Sequence, residues 1–182
     1  LEYQTIEEYQ QIIKICQDLF CQKTKDYGTA WRILRLPSLT DQIYIKAQRI
    51  RSIQEKGTQK IAENTNNEFV GIINYCVIAL IQSQLDSNMP LELPLKEVLE
   101  KYQQVTTQNL ELLQNKNHDY GEAWRNMRVS SMTDIILMKI LRIKQIENRE
   151  GKVFVSEGVD ANYQDILNYA VFCLILSDFL EE

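Results

Sequence analysis

Apolar residues recur along most of the chain at three- and four-residue spacing, the period of helices that bury one face. Ile6, Tyr9, Ile13, Cys16 and Phe20 form one such stripe and predict a first helix that breaks at Asp26-Tyr27-Gly28. A short turn over Ala30-Trp31-Arg32 follows. A second helix is expected to begin near Ser38 and to carry Ile43, Ala47, Ile50 and Ile53 inward. After a polar loop over 56–67, a strongly apolar third helix runs to about Gln84. Nowhere do apolar and polar residues alternate with the period of a strand, so the expected fold class is all-α.

The same layout then returns. Residues 25–50 align without a gap to residues 118–143, with fourteen of the 26 positions identical. Tyr102 stands where Tyr9 does, a second helix from about Ser131 carries Ile136, Ile140 and Ile143, and a polar loop over 148–162 leads to a last apolar helix ending near Asp178. Asn74-Tyr75 recurs as Asn168-Tyr169, the offset changing only from 93 to 94. The reading is two tandem repeats of about three main helices each, 1–86 and 95–182, joined by a linker over 87–94 that carries Pro90 and Pro94. Each repeat is too small to cover its own apolar faces, so the two are expected to pack as one pseudo-twofold bundle.

Composition narrows the functional classes. A net charge of -5 offers no broad attraction for nucleic acid or an anionic membrane, and the apolar runs are too short, and too interrupted by Asn-Tyr, to span a bilayer. The four cysteines form no CxxC pair and sit in helical stripes, which predicts reduced, buried thiols and fits a cytoplasmic protein. A single histidine, His118, excludes His-based metal clusters and triads. No Gly-rich phosphate loop is present.

Four elements are candidates for chemistry. In D-Y-G-x-A-W-R-x-x-R, the glycines Gly28 and Gly121 suit a left-handed helix stop, and Trp31 and Trp124 suit core anchors. The same element puts Asp26 or Asp119 near Arg35 or Arg128, the pairing of a metal ligand with a phosphate clamp. The S-[LM]-T-D segments, Ser38 to Asp41 and Ser131 to Asp134, match capping boxes. In K-x-x-R-I, Lys46 with Arg49 and Lys139 with Arg142 lie on one helical face, suited either to ion pairs with the third helix or to a polyphosphate. The fourth element differs between copies: Glu157, Asp160 and Asp165 precede Asn168-Tyr169, where the first copy has Glu63, Asn66 and Gly71. Hard divalent cations prefer several oxygen ligands, so the second copy is the better equipped to hold one.

This combination of K-[NT]-[HK]-D-Y-G-x-A-W, K-x-x-R-I and an acidic loop before D-x-x-N-Y-A resembles the nucleotide-modification-associated domain, a family of phages and bacteria with tandem forms. The resemblance spans both repeats and implies a link to nucleotide or modified-base metabolism. It carries onto Asp119, Tyr120, Gly121, Trp124, Lys139, Arg142, Glu157, Asp165, Asn168 and Tyr169, and in the first copy onto Asp26, Tyr27, Gly28, Trp31, Lys46, Arg49, Glu63, Asn74 and Tyr75. The family's carboxylate pair at the start of the last helix is here Asp160 and Ala161, and Asn66 and Asn67 in the first copy, a departure that argues against catalysis there. A looser likeness to all-α nucleoside-triphosphate pyrophosphohydrolases rests on fold class and acidic helices alone.

The expectation is therefore a nucleotide-binding protein that hydrolyses a phosphoanhydride with magnesium. Asp119, Glu157 and Asp165 would hold the metal, and Lys139 and Arg142 would act on the phosphates. Tyr120, Trp124, Arg128, Asn168 and Tyr169 would bind substrate. Asp26, Lys46, Arg49, Glu63 and Asn74 would be degenerate equivalents. The alternative is a non-catalytic helical scaffold, and a homo-oligomer is left open.

Overall fold

Six α-helices form in chain order: α1 (Tyr3–Tyr27), α2 (Leu36–Lys56), α3 (Ile61–Gln84), α4 (Leu95–Lys116), α5 (Val129–Glu147) and α6 (Val159–Leu176). Short 3₁₀ turns over Ala30–Ile33 and Ala123–Asn126 follow α1 and α4. This is a computed structural model that describes residues 3–57, 61–116, 121–153 and 157–180, with the side chains of 61–64 left aside. No strand occurs among the described residues, so the fold is the expected all-α bundle. No described helix is long and apolar enough to cross a membrane.

The centre is built from α3 and α6. Both are buried on nearly every side in their second halves: Ile72, Ile73, Cys76 and Val77 on one, Ile166, Leu167, Ala170 and Val171 on the other. A helix that is apolar all round has to be enclosed, and neither repeat has enough helices to enclose its own. The solution is mutual burial. Helix α2 packs on α3 and α5 on α6, the two pairs meet through α3 against α6 and α2 against α5, and α1 and α4 each reach across to the other repeat's last helix. Three of the four thiols, those of Cys16, Cys76 and Cys173, are buried in this core, where burial pushes Cys16 up to about 12.

Two expectations about helix starts are corrected. Helix α2 begins at Leu36 and α5 at Val129, with Arg35 and Arg128 at the N-caps, and neither start carries a side-chain cap bond. The S-[LM]-T-D segments are not capping boxes. They form the α2–α5 contact around the pseudo-twofold. Asp41 pairs with Lys144 at 2.7 Å and its counterpart Asp134 with Arg51 at 3.7 Å. Thr40 donates to Glu147 at 2.8 Å, and the Gln54 amide donates to Thr133 at 3.1 Å. A threonine inside a helix that bonds across to a neighbouring helix serves packing, since the backbone donors it was expected to cap lie elsewhere. The polar stretch before α3 is also shorter than its composition suggests, because α3 is already helical from Ile61.

Candidate functional site

Each repeat encloses a cavity between the end of its first helix, its 3₁₀ turn and the middle of its last helix. The first measures about 460 Å³ and the second about 330 Å³. Every one of the ten residues lining the second has its repeat counterpart lining the first. Lys116 matches Lys23, Gly121 matches Gly28, Trp124 matches Trp31, Asn168 matches Asn74 and Tyr169 matches Tyr75. Three pairs change size or charge: Phe172 replaces Ile78, Leu113 replaces Phe20, and Asp165 replaces Gly71.

Local backbone explains how the D-Y-G element shapes these walls. Helix α1 stops because Gly28 adopts φ +60 and its amide bonds to the Thr24 carbonyl at 2.8 Å; Gly121 adopts φ +55 at the same place in the second repeat. The chain reverses and presents each tryptophan to the cavity. Each tryptophan lines its cavity, while its indole Nε1 is buried without a hydrogen-bond partner.

The tryptophans are otherwise unlike. Trp124 is stacked on Phe172 with ring centroids 4.1 Å apart, and the Arg125 guanidinium lies 4.5 Å from its ring. In the first repeat Ile78 stands where Phe172 does, and Arg32 turns away to bond Gln82 at 2.6 Å and the Met89 carbonyl at 3.1 Å. Trp31 is only partly buried and lines the larger cavity.

The two arginines that follow these tryptophans are tied into the architecture. Arg32 fastens the end of α3 and the linker, while Arg125 bonds Glu122 at 3.0 Å, Thr5 at 2.6 Å and Glu8 at 2.6 Å, holding the start of α1. These carboxylates raise the Arg125 pKa against the opposing effect of burial.

Charge is arranged differently in the two repeats. Asp165 on α6 accepts from Lys139 at 2.6 Å and lies 3.8 Å from Lys116, which also reaches Glu157 at 3.6 Å. Lys139 and Arg142 therefore do not act alike: Lys139 is engaged by α6, and Arg142 is exposed on α5. In the first repeat the acid is Glu68, buried on α3, which takes Arg49 at 2.8 Å and Lys46 at 3.4 Å. The first copy has thus kept a carboxylate for its K-x-x-R pair, one turn earlier than Asp165. Alignment on Asn-Tyr hides it by matching Glu68 to Asn162. The sequence signal was a lone acid in front of an apolar run. Lys23 and Lys116, the first residue of K-[NT]-[HK]-D-Y-G in each copy, were not among the expected site residues.

Asn74 and Asn168 sit at the cavity floors with their side chains already engaged. The Asn168 carbonyl accepts from Tyr9 at 2.8 Å and from Asn109 at 2.7 Å; Asn74 accepts from Tyr102 at 2.8 Å and donates to the Cys16 carbonyl at 3.1 Å. Tyr169 is half-buried beside Asn168, with its hydroxyl pKa raised by burial and then by the nearby Asp165 charge. Arg128 is exposed at the α5 N-cap, outside the cavity lining, and Asp26 is exposed at the end of α1. Asp119 and Tyr120 lie outside the described residues, as does the Glu63 side chain. No group of three His, Cys, Asp or Glu that would suit a metal occurs among the described residues.

Fold and cavities together define a class: an all-α tandem-repeat protein with one matched cavity in each repeat. The chain belongs to the Nucleotide modification associated domain 1 family, whose profile matches residues 23–83 and again 116–176. No curated protein and no solved structure matches the chain.

Proposed function

We propose that the protein binds nucleotides, one in each repeat's cavity, in the service of nucleotide metabolism. The observation that carries this reading is that all ten positions of the second cavity's wall recur in the first, six of them with the same residue. Each wall brings a tryptophan, a tyrosine and a lysine together with apolar residues, which suits a planar base joined to an anionic group.

Hydrolysis with magnesium is the narrower form of this reading and belongs to the second cavity. Glu157 and Asp165 already converge on one cation, the Lys116 ammonium, so their oxygens suit a hard divalent ion. Nucleotide phosphates would draw Lys116 and Lys139 away from Asp165, freeing its carboxylate to hold magnesium with Glu157 and Asp119. Bound magnesium would supply charge neutralisation at phosphorus and an activated water. The scaffold alternative is favoured by one specific fact: the motif arginines Arg32 and Arg125 and both S-[LM]-T-D segments are spent on holding helices together.

Calorimetric titration of nucleoside di- and triphosphates with and without magnesium, followed by a phosphate-release assay, tests the reading. Magnesium-dependent binding and turnover lost in Asp165→Asn support hydrolysis. Binding without turnover leaves a nucleotide-binding protein, and no binding at millimolar nucleotide supports the scaffold.

A further inference from the structure

The two cavities share a layout and differ in charge and in what covers the tryptophan. Resting on the nucleotide reading above, we infer that the first repeat is a separate, metal-independent site for a nucleoside monophosphate, with the base against Trp31 and the phosphate between Lys23 and Lys46.

Charge balance singles out the ligand. The lining of the first cavity contains Lys23 and Lys46 and no carboxylate, whereas Lys116 in the second is offset by Asp165. Glu68 lies outside the lining and is shared by Arg49 at 2.8 Å and Lys46 at 3.4 Å, so one carboxylate faces the three cations Lys23, Lys46 and Arg49, whereas Asp165 and Glu157 together match Lys116 and Lys139. A phosphate monoester carries close to two negative charges near neutrality. Two ammoniums match that charge without a metal, and they fall short of a triphosphate, which needs a divalent ion to complete its neutralisation.

Gly71 is the residue that makes the site. A Cβ there would stand 2.8 Å from Lys46 Cε and 3.0 Å from its Nζ, so the Lys46 side chain lies directly against the glycine. The bare backbone lets this lysine run along α3 into the cavity, its Nζ 5.8 Å from the Tyr75 ring centroid. The counterpart Asp165 instead captures Lys139 at 2.6 Å, and Lys139 does not line its cavity. The tryptophan is uncovered only on this side. Trp124 is covered by Phe172 and Arg125, while Ile78 and the diverted Arg32 leave Trp31 facing the larger cavity, with Tyr27 at its rim. The cavity with no carboxylate in its lining is thus the open one.

The test is titration of the full chain with a panel of ribo- and deoxyribonucleoside monophosphates in EDTA, followed by tryptophan fluorescence and calorimetry. One molecule bound per chain in EDTA is expected, with quenching that disappears in Trp31→Phe. Gly71→Asp, which copies the second repeat, and Lys46→Gln should each weaken binding by about tenfold to a hundredfold, the worth of one charge-assisted hydrogen bond. Lys152→Gln, at an exposed lysine outside both cavities, should leave it unchanged. Circular dichroism and the melting temperature of each variant identify any that fails to fold, and Lys23→Gln then serves in its place. Binding that requires magnesium, or that responds to Asp165→Asn and not to Gly71→Asp, overturns this inference and leaves the nucleotide reading standing at the second cavity. No binding of any mono-, di- or triphosphate in either buffer overturns both.

Discussion

Tyr9 on α1 donates its hydroxyl to Asn168 on α6 at 2.8 Å, and this bond joins the first helix of one repeat to the last helix of the other. Tyr102 does the same to Asn74 at 2.8 Å in the opposite direction. The two bonds are the polar counterpart of mutual burial: the carbonyl of each repeat's central asparagine accepts a hydrogen bond from a tyrosine of its twin. Both asparagines floor a cavity, so the contact that holds the repeats together also sets the shape of the candidate sites.

The pair should differ in strength. Asn168 retains the Asn109 amide as a donor when Tyr9 is replaced, whereas the Asn74 carbonyl has Tyr102 as its donor. Tyr102→Phe is expected to cost about 1–3 kcal/mol, the penalty of a buried unsatisfied acceptor, and Tyr9→Phe about 0.5–1.5 kcal/mol. Urea denaturation of the two variants checks the order; equal losses would mean that Asn109 does not compensate.

The left-handed glycines should also separate. Gly28→Ala and Gly121→Ala each force a side chain into the positive-φ region, a cost of about 1–2 kcal/mol. A Cβ on Gly28 would in addition overlap the carboxylate end of the exposed Glu92 side chain, which has to swing aside, while one on Gly121 meets nothing within 4 Å. Gly28→Ala is therefore the more destabilising by a small margin, and adding Glu92→Ala to it should remove the excess in thermal melts. An excess that survives Glu92→Ala would place its cause in the backbone.

Glu147 ties the pH dependence of stability to the α2–α5 contact. Burial raises its pKa above the ordinary 4.5, with the Asp41 charge adding to the rise, and the Thr40 hydrogen bond and Lys144 oppose it. The folded state then binds the proton more tightly than the unfolded one, so this group's contribution is most favourable below pH 4.5 and is lost as pH rises through the folded pKa. Glu147→Gln, which copies the Gln54–Thr133 bond of the other repeat, should be at least as stable as the parent at neutral pH. Its advantage should vanish in acid. Urea midpoints at pH 4 and pH 7 decide it, and a variant less stable at pH 7 would contradict the sign.

Helix periodicity, the internal repeat and the D-Y-G stops were all legible in the sequence, because each depends on residues a few positions apart. The apolar stripe Tyr9, Ile13, Cys16 and Phe20 had to be a buried helical face, and Gly28 with Gly121 had to be where the chain takes a left-handed turn. The candidate site was legible in part: Trp31, Trp124, Lys46, Asp165 and the two asparagines do gather at cavities. What each side chain meets was not, because partners come from helices separated by up to 159 residues. Only packing decided that Thr40 and Asp41 face α5 in place of capping α2, that Glu68 takes over the acid's part in the first repeat, and that Phe172 and Arg125 cover one tryptophan while its twin is left open. A helix's own sequence determines which of its faces is apolar. The rotation and register at which two such faces meet depend on every side chain between them, and that sum exists only in the folded bundle.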